Sequence, residues 1–257
     1  MLKAVAFDLW ETLITDTPAA SRRQERLRTS RMEEILRARG HGGVAERIEH
    51  AYRALWHRCQ DLYWSEDRDV PCRRQIEHFL EELGLEPAAF EENVLAELEH
   101  AYAHAALEVL PATVEGASAT LAALKERGFG VGLISNTGRT PGSVLRSILG
   151  ELGLARSIDV MVFSNEHGHC KPVPSIFEEL RRGLDVRYEE MLFVGDNLYA
   201  DVHGAQSCGM RAVHFDPPVR GTAVAPHFEH GLKIVADARV TSLEELLPLL
   251  AEGRWKG

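Results

Sequence analysis

The chain has 257 residues, of which 45% are hydrophobic, and its formal net charge is −10. This length suits one large α/β domain or a domain with an insertion, and the acidic balance argues against a protein that binds nucleic acid or an anionic membrane surface. No run approaches the roughly 18 apolar residues of a membrane span, and the four scattered cysteines indicate neither a disulfide framework nor a zinc cluster, so we expect a cytoplasmic protein.

The first predicted element is a buried strand that ends at a carboxylate. An apolar run over residues 5–7 leads directly into Asp8. Such a run favours a strand buried on both faces of a parallel sheet, and open α/β sheets bind ligands at the carboxyl ends of their strands. Asp8 is therefore a candidate nucleophile, although an aspartate at a strand end is also an ordinary turn or cap residue.

A helical insertion follows, from about residue 16 to residue 107. This segment is rich in Arg, Glu, Leu and Ala at helical spacing and has almost no β-branched runs. Thr17 and Pro18 fit an N-cap followed by proline at the first helical position, residues 73–83 repeat apolar side chains at helical spacing, and Pro87 is predicted to start another helix. We expect about four helices packed as a bundle.

Strands and helices alternate from Pro111 onward. This pattern predicts a doubly wound parallel sheet covered by helices on both sides, which the first strand must join. The helical segment is then an excursion from one α/β core. The predicted strands are 130–135, 159–163, 191–195 and 211–215, and the predicted helices are 116–127, 142–152, 174–183 and 200–208.

Polar residues follow the predicted strands at the points where a binding site is expected. Ser135 and Asn136 could bind a phosphoryl oxygen through a hydroxyl and backbone N–H groups, but Ser-Asn is also a common turn pair. Lys171 lies in a loop just before a predicted helix, and an isolated lysine is usually a solvated surface residue. Asp196 ends another strand, and Asp201 follows five residues later.

Convergence of Asp8, Asp196 and Asp201 at one sheet edge would be costly without a cation. Like charges a few ångströms apart raise one another's pKa, so the set calls for a hard divalent metal or for Lys171. Magnesium fits best, because it prefers oxygen ligands and commonly takes one or two protein carboxylates together with substrate phosphate. We therefore expect a Mg²⁺ site at this edge.

In this order the segments resemble the haloacid dehalogenase-like (HAD) hydrolase superfamily, whose members share a Rossmann-like core with an aspartate nucleophile. The resemblance implies that the insertion is an all-helical cap domain over 16–107, and that 1–15 and 108–257 form the core domain. The matching positions are Asp8 with Thr12 and Leu13, Ser135 with Asn136, the run Ser164, Glu166, Gly168, Lys171, Pro172 and Pro174, then Gly195, Asp196 and Asp201 before Gly204 and Ala205.

The resemblance also implies a metal-assisted reaction at Asp8. Asp8 would attack phosphorus, an aspartyl-phosphate would form, and water would release inorganic phosphate. The protein ligands of Mg²⁺ would be Asp8, the backbone carbonyl of Trp10 and the side chain of Asp196. Asp201 would not bind the metal directly, but would support these ligands or contact a water molecule that binds the metal.

Phosphate binding is implied for three further residues. Ser135 would hydrogen-bond a phosphoryl oxygen beside Asn136, and Lys171 would stabilise charge on the nucleophile and on the transferring group. The resemblance therefore implies a Mg²⁺-dependent phosphatase that acts on a small phosphorylated metabolite.

Trp10 departs from the family pattern. Phosphatases of this family usually carry a second aspartate at that position as general acid and base, and indole cannot exchange a proton near neutral pH. Glu11, His167 and His169 are speculative replacements. A phosphatase that acts on an activated phosphate would need no general acid. One alternative is a 2-haloacid dehalogenase, a class that usually has an aromatic residue at the position of Trp10. Another is a catalytically idle binding domain. The presence of Asp196 favours the phosphatase.

Aromatic residues of the insertion have two interpretations. Tyr52, Trp56 and Tyr63 lie near one helical face and form either a wall of the substrate site or the bundle core, while Trp64 lies off that face. Arg139 either contacts substrate or caps the next helix.

Overall fold

The structure is a computed structural model that describes residues 1–221 and 233–251, so residues 222–232 and 252–257 of the predicted core domain lie outside the described residues. Six strands form one parallel sheet in the order β5-β4-β1-β6-β7-β8, and β2 pairs with β3 in an antiparallel ribbon. The predicted α/β fold is confirmed. The strands are β1 (Ala4–Phe7), β2 (Ile14–Thr15), β3 (Ala112–Thr113), β4 (Gly130–Ser135), β5 (Val160–Phe163), β6 (Met191–Gly195), β7 (Arg211–Phe215) and β8 (Ala238–Val240).

Helices cover both faces of the sheet and also fill the insertion. Short 3₁₀ helices connect several of them. None of the helices within the described residues is long and apolar enough to cross a membrane. The helices are α1 (Pro18–Ala38), α2 (Ile48–Leu62), α3 (Cys72–Glu82), α4 (Glu92–Ala103), α5 (Ala105–Glu108), α6 (Ala117–Glu126), α7 (Gly142–Glu151), α8 (Ser164–His167), α9 (Pro174–Leu184), α10 (Gly204–Ser207) and α11 (Leu246–Ala251).

The central strand β1 explains how the sheet is buried. Alternate residues of a strand point to opposite faces, so Val5 and Phe7 pack with helices α6, α7 and α11, while Ala4 and Ala6 pack with α9 and α10. All four side chains are fully buried. Because β1 lies between β4 and β6, its carboxyl end is at the centre of the sheet edge, and the residue after Phe7 is surrounded by the ends of both neighbours.

The insertion has its own apolar cluster, to which α1–α4 contribute. The Thr17 side chain accepts a hydrogen bond from the N–H of Ala20 at 3.1 Å, and Pro18 is the first residue of α1, as predicted. The helix predicted from Pro87 is wrong: residues Pro87–Ala89 make a single 3₁₀ turn and α4 begins at Glu92. The boundaries of the core and cap domains stay a prediction.

Two features near the sheet edge were not predicted from the sequence. The chain leaves the core through β2 and returns through β3, and the pairing of Ile14 with Thr113 joins the two crossings side by side. The helix predicted over 200–208 is present, but its first half belongs to a π-helix, Leu198–His203, and α10 begins only at Gly204. Asn197 stabilises that π-helix by accepting hydrogen bonds from two of its backbone N–H groups.

Candidate active site

Asp8 and Lys171 form the centre of the site. The N–H of Asp8 donates to the carbonyl of Val194 at 2.9 Å, which holds Asp8 against the end of β6. Lys171 Nζ lies 2.5 Å from Asp8 Oδ1, 2.7 Å from Asp201 Oδ1 and 3.0 Å from the carbonyl oxygen of Ile134. The contacts with Asp8 and Ile134 are hydrogen bonds and the contact with Asp201 is an ion pair, so the ammonium is held from three sides. Lys171 is therefore a buried ion-pair partner and not the solvated residue that a lone lysine usually is.

Three carboxylates meet beside this lysine, as the strand-end argument predicted. Asp8, Asp196 and Asp201 each offer an oxygen, and these atoms all lie within 4.8 Å of one another. Asp201 reaches the cluster from the π-helix, and its Oδ2 accepts a hydrogen bond from the N–H of Asn197 at 2.9 Å. Gly195 makes room for it, because a Cβ at that residue would lie 2.2 Å from Asp201 Oδ2.

The electrostatics of the cluster show a shortage of positive charge. Burial raises the pKa of Asp8 to about 6, against the opposing charge of Lys171. Burial, with the charges of Asp8 and Asp201, raises the pKa of Asp196 to about 8. Although burial lowers the pKa of Lys171, the charges of Asp201 and Asp8 raise it above its ordinary value. A divalent cation would relieve this repulsion, and an all-oxygen donor set fits Mg²⁺.

Arg220 is a site residue that the sequence analysis missed. Its Nη1 lies 2.9 Å from Asp196 Oδ2 and its Nη2 lies 2.9 Å from Asp216 Oδ1. His214 Nε2 lies 3.1 Å from the backbone carbonyl oxygen of Asp196. The sequence does carry a signal, since Asp216 and Arg220 follow β7 as the other site residues follow their strands.

Ser135 and Asn136 end β4 but have different surroundings. Ser135 is fully buried, and its Oγ has no hydrogen-bond partner among the described residues. Both amide atoms of Asn136 engage the backbone of Lys171: Oδ1 accepts from its N–H at 2.8 Å and Nδ2 donates to its carbonyl at 3.1 Å. Asn136 thus positions Lys171. The phosphate-binding roles of Ser135 and Asn136 stay predictions.

The speculative replacements for a general acid lie elsewhere. The carboxylate of Glu11 accepts hydrogen bonds from Thr15 Oγ1 at 3.0 Å and from the N–H of Gly221 at 2.6 Å. The ring of His167 contacts Glu179 and Ser175, and neither His167 nor His169 lines the cavity described next. Trp10 itself lines that cavity.

A cavity of about 570 Å³ extends from Asp8 to the helices of the insertion, and its size suits a small organic ligand. Tyr52 and Trp56 of α2 line it, and Tyr52 also belongs to the buried apolar cluster of the insertion. Tyr63 packs on the bundle, and its hydroxyl lies 2.8 Å from His78 Nε2. The Trp64 ring lies against the Trp56 ring, with centroids 4.5 Å apart.

A buried carboxylate of the insertion contacts the two loops that carry the site residues. Asp69 Oδ2 accepts hydrogen bonds from Ser164 Oγ at 2.5 Å and from Thr137 Oγ1 at 3.0 Å. Gln75 Nε2 donates to the carbonyl of Gly138 at 2.9 Å. These bonds tie the insertion to the loop after β4 and to α8.

Known proteins are similar to this chain in sequence and in fold. The family model of the haloacid dehalogenase-like hydrolases matches residues 2–209. A ribulose-1,5-bisphosphate 5-phosphatase of Halopiger xanaduensis is 32% identical over 151 residues, which are 59% of this chain and only 62% of that relative. A glyceraldehyde 3-phosphate phosphatase of Pyrococcus abyssi is 30% identical over 217 residues, 84% of this chain and 82% of that protein.

Among solved structures, a 2-haloacid dehalogenase from Pseudomonas syringae pv. Tomato DC3000 has a TM-score of 0.68 at 24% identity. The superposition covers 98% of this chain and 99% of that chain, and it supports the likeness of fold. With the family match over most of its length, the chain belongs to the haloacid dehalogenase-like hydrolases.

Proposed function

We propose that this protein is a Mg²⁺-dependent phosphatase that hydrolyses a small phosphorylated metabolite through an aspartyl-phosphate on Asp8. The observation that carries the proposal is the buried contact between Asp8 and Lys171 beside the carboxylates of Asp196 and Asp201. A dehalogenase needs a carboxylate nucleophile but has no use for a divalent metal. The three-carboxylate cluster therefore favours phosphoryl transfer.

The reaction follows from the surroundings of Asp8. A carboxylate oxygen of Asp8 attacks phosphorus, the bond from phosphorus to the leaving oxygen breaks, and an aspartyl-phosphate forms. Water then attacks phosphorus, inorganic phosphate leaves, and Asp8 regains its carboxylate. Lys171 favours the charged, nucleophilic form of Asp8, because its ammonium opposes the effect of burial on the carboxylate. Ser135 Oγ, which is buried and unpartnered among the described residues, can donate to a phosphoryl oxygen.

The metal would be held by the side chains of Asp8 and Asp196 and by the backbone carbonyl of Trp10. Asp201 would support them from behind, since its Oδ1 is engaged by Lys171. When bound, Mg²⁺ supplies positive charge that offsets the charge of the nucleophile and of the phosphoryl oxygens. The raised pKa of Asp196 in the metal-free protein supports this assignment.

Trp10 restricts the leaving group. The indole stands where a general acid would be expected and cannot protonate a departing alkoxide. Activated esters, whose leaving oxygen needs no proton, are therefore the better substrates. The names of the similar phosphatases suggest sugar phosphates as a second candidate class, whose alkoxide leaving group would need a proton from a group other than Trp10.

We also propose that residues 16–107 act as a cap that supplies the substrate-binding wall, since Tyr52 and Trp56 line the cavity above Asp8. A cytoplasmic location agrees with the four cysteines, which are all free.

One assay tests the proposed reaction. Phosphate release is measured from acyl phosphates, sugar phosphates and p-nitrophenyl phosphate, with Mg²⁺ and with EDTA, while halide release from 2-haloacids is recorded in parallel. Release of phosphate that EDTA abolishes is the expected result. Halide release that ignores EDTA would establish the dehalogenase instead, and binding of phosphate esters without turnover would indicate an idle domain.

A further inference from the structure

We infer that the substrate carries a second anionic group, a carboxylate or a second phosphate, and that Arg139 binds it in the cavity that also reaches Asp8. The inference rests on the proposed phosphatase function and adds the substrate class. Arg139 and Asp8 line the same cavity. One end of the ligand would therefore react at Asp8 while the other end meets the guanidinium.

Arg139 is held in place but has an unused donor. Its guanidinium carbon lies 4.4 Å from the centroid of the Trp56 ring and 4.7 Å from that of Tyr52. Its Nε is buried and has no hydrogen-bond partner among the described residues. A buried donor without a partner is costly, and the planar fork of a guanidinium matches a carboxylate or phosphate in two parallel hydrogen bonds. An anionic ligand group would satisfy this donor.

The loop that carries Arg139 is fixed relative to the reacting end. Asn136 precedes it and is bonded through both amide atoms to the backbone of Lys171. Gly138, with a φ of +59°, presents its carbonyl to Gln75 Nε2 at 2.9 Å. These bonds tie the position of the guanidinium to that of Lys171 and so set the distance between the two charged ends of a ligand.

The other arginines of the cavity wall already have partners within the protein. Arg28 donates to the carbonyl of Tyr102 at 2.8 Å and to Thr140 Oγ1 at 3.3 Å. Arg53 pairs with Glu25 at 3.0 Å. In the part of the chain that the structure describes, Arg139 is thus the arginine of the cavity lining that has a buried N–H donor without an acceptor.

Matched aryl esters test the inference, because their leaving groups are similar and only the distal group differs. The substrates are 4-carbamoylphenyl phosphate, with a neutral distal group, 4-carboxyphenyl phosphate and benzene-1,4-diyl bisphosphate, each also prepared with a one-carbon spacer. The wild-type protein is expected to prefer an anionic ester in kcat/KM. Arg139→Met should lower the ratio of anionic to neutral kcat/KM by about 10- to 100-fold, the loss expected for a hydrogen bond to a charged group. The two anionic esters separate the carboxylate from the second phosphate.

Arg139→Lys and Arg146→Met are the companion variants. Lysine keeps the charge but loses the planar guanidinium, so Arg139→Lys should restore part of the ratio. Arg146 lies on the ring of Phe163, outside the cavity lining, so Arg146→Met should leave the ratio as in the wild type. Calorimetry on Asp8→Asn with 4-carboxyphenyl phosphate measures binding without turnover, and adding Arg139→Met should raise Kd by a similar factor.

The outcomes separate this inference from the proposed function. No phosphate release from any ester would count against the phosphatase. Release without preference for an anionic group, or an Arg139→Met variant that lowers the kcat/KM values of all three esters equally, would overturn the subsite while leaving the phosphatase in place.

Discussion

Lys171 Nζ contacts Asp8 Oδ1 at 2.5 Å, although 163 positions separate the two residues in the chain. The parallel sheet makes this contact, because it brings the loops after β1 and β5 to the same edge. Lys171 also contacts Asp201, so a single buried ammonium balances two buried carboxylates. Its loss would leave both without a counter-charge.

Lys171→Met should therefore destabilise the metal-free protein strongly. Breaking a buried ion pair by removing one partner costs about 3–5 kcal/mol in free energy of unfolding, since the remaining charge stays buried. Urea unfolding in EDTA measures the change. Lys125→Met is the matched control, because Lys125 contacts Asp159 at 2.5 Å with both side chains partly exposed, and such pairs contribute about 0–1 kcal/mol. Equal losses in the two variants would contradict the role of burial.

Mg²⁺ should stabilise the protein more at pH 8 than at pH 5. The pKa of Asp8 is raised to about 6 and that of Asp196 to about 8 in the folded metal-free protein, above the ordinary value of 3.8. The folded state then binds more protons than the unfolded state, so stability in EDTA falls as pH rises from about 4 to about 8. Mg²⁺ replaces the protons and offsets that loss.

Thermal unfolding at both pH values, with Mg²⁺ and with EDTA at equal ionic strength, measures the effect. Asp196→Asn removes the group with the higher pKa and a proposed metal ligand, so it should flatten the pH dependence in EDTA and reduce the shift caused by Mg²⁺. A Mg²⁺ effect that is the same at pH 5 and pH 8 would argue against the carboxylate cluster as the binding site.

Gly195→Ala should displace Asp201 and reduce phosphate release. The added Cβ would lie 2.2 Å from Asp201 Oδ2, and overpacking of this kind costs about 1–3 kcal/mol in stability. Gly150→Ala in α7 is the control, because nothing lies within 4 Å of its Cβ position and alanine favours a helix by about 0.5–1 kcal/mol over glycine. Comparable stability of the two variants would contradict the close approach.

The sheet could be predicted from the sequence where a strand is long and buried on both faces. Strands β4, β6 and β7 match their predicted ends, and apolar runs mark β4 and β6, whereas Arg211 and His214 interrupt the apolar pattern of β7. Strand β8 has three residues at the sheet edge, and β2 and β3 have two residues each, which is too short for a periodic pattern. The π-helix depends on the side chain of Asn197 and the packing of Asp201, and the local periodicity of apolar residues does not indicate either of them.

The candidate site, like the sheet, could be predicted only in part. The meeting of Asp8, Asp196 and Asp201 follows from the rule that parallel strands end at one edge. The paths of loops could not be predicted, and they decide the contact of Arg220 with Asp196 and the stacking of Arg139 on aromatic rings. The sequence left Arg139 either in contact with substrate or as the cap of the next helix, and neither interpretation predicted the stacking. The N-cap residue of α7 is Pro141 and not Arg139.

Asp8→Asn should lower phosphate release by at least about 10³-fold, because the amide cannot act as the nucleophile. The fold should survive, since asparagine has the same shape and the charge that it removes is costly in this buried position. Circular dichroism and the melting temperature check the fold, and single-turnover assays with an acyl phosphate check the chemistry. Unchanged activity would remove Asp8 from the mechanism.

Trp10→Asp should raise phosphate release from esters with poor leaving groups. Trp10 lines the cavity, and an aspartate there could protonate the leaving oxygen, a contribution of about 10²–10⁴-fold in enzymes that use it. A series of phosphate esters of rising leaving-group pKa measures the dependence, which should be steep in the wild type and shallow in the variant. Trp10→Phe removes the indole without adding an acid, so its rate should depend on the leaving-group pKa as steeply as that of the wild type. A shallow slope in both the wild type and Trp10→Asp would show that another group already supplies the proton, and a steep slope in both would show that Trp10 shapes the pocket and that an aspartate there does not act as the acid.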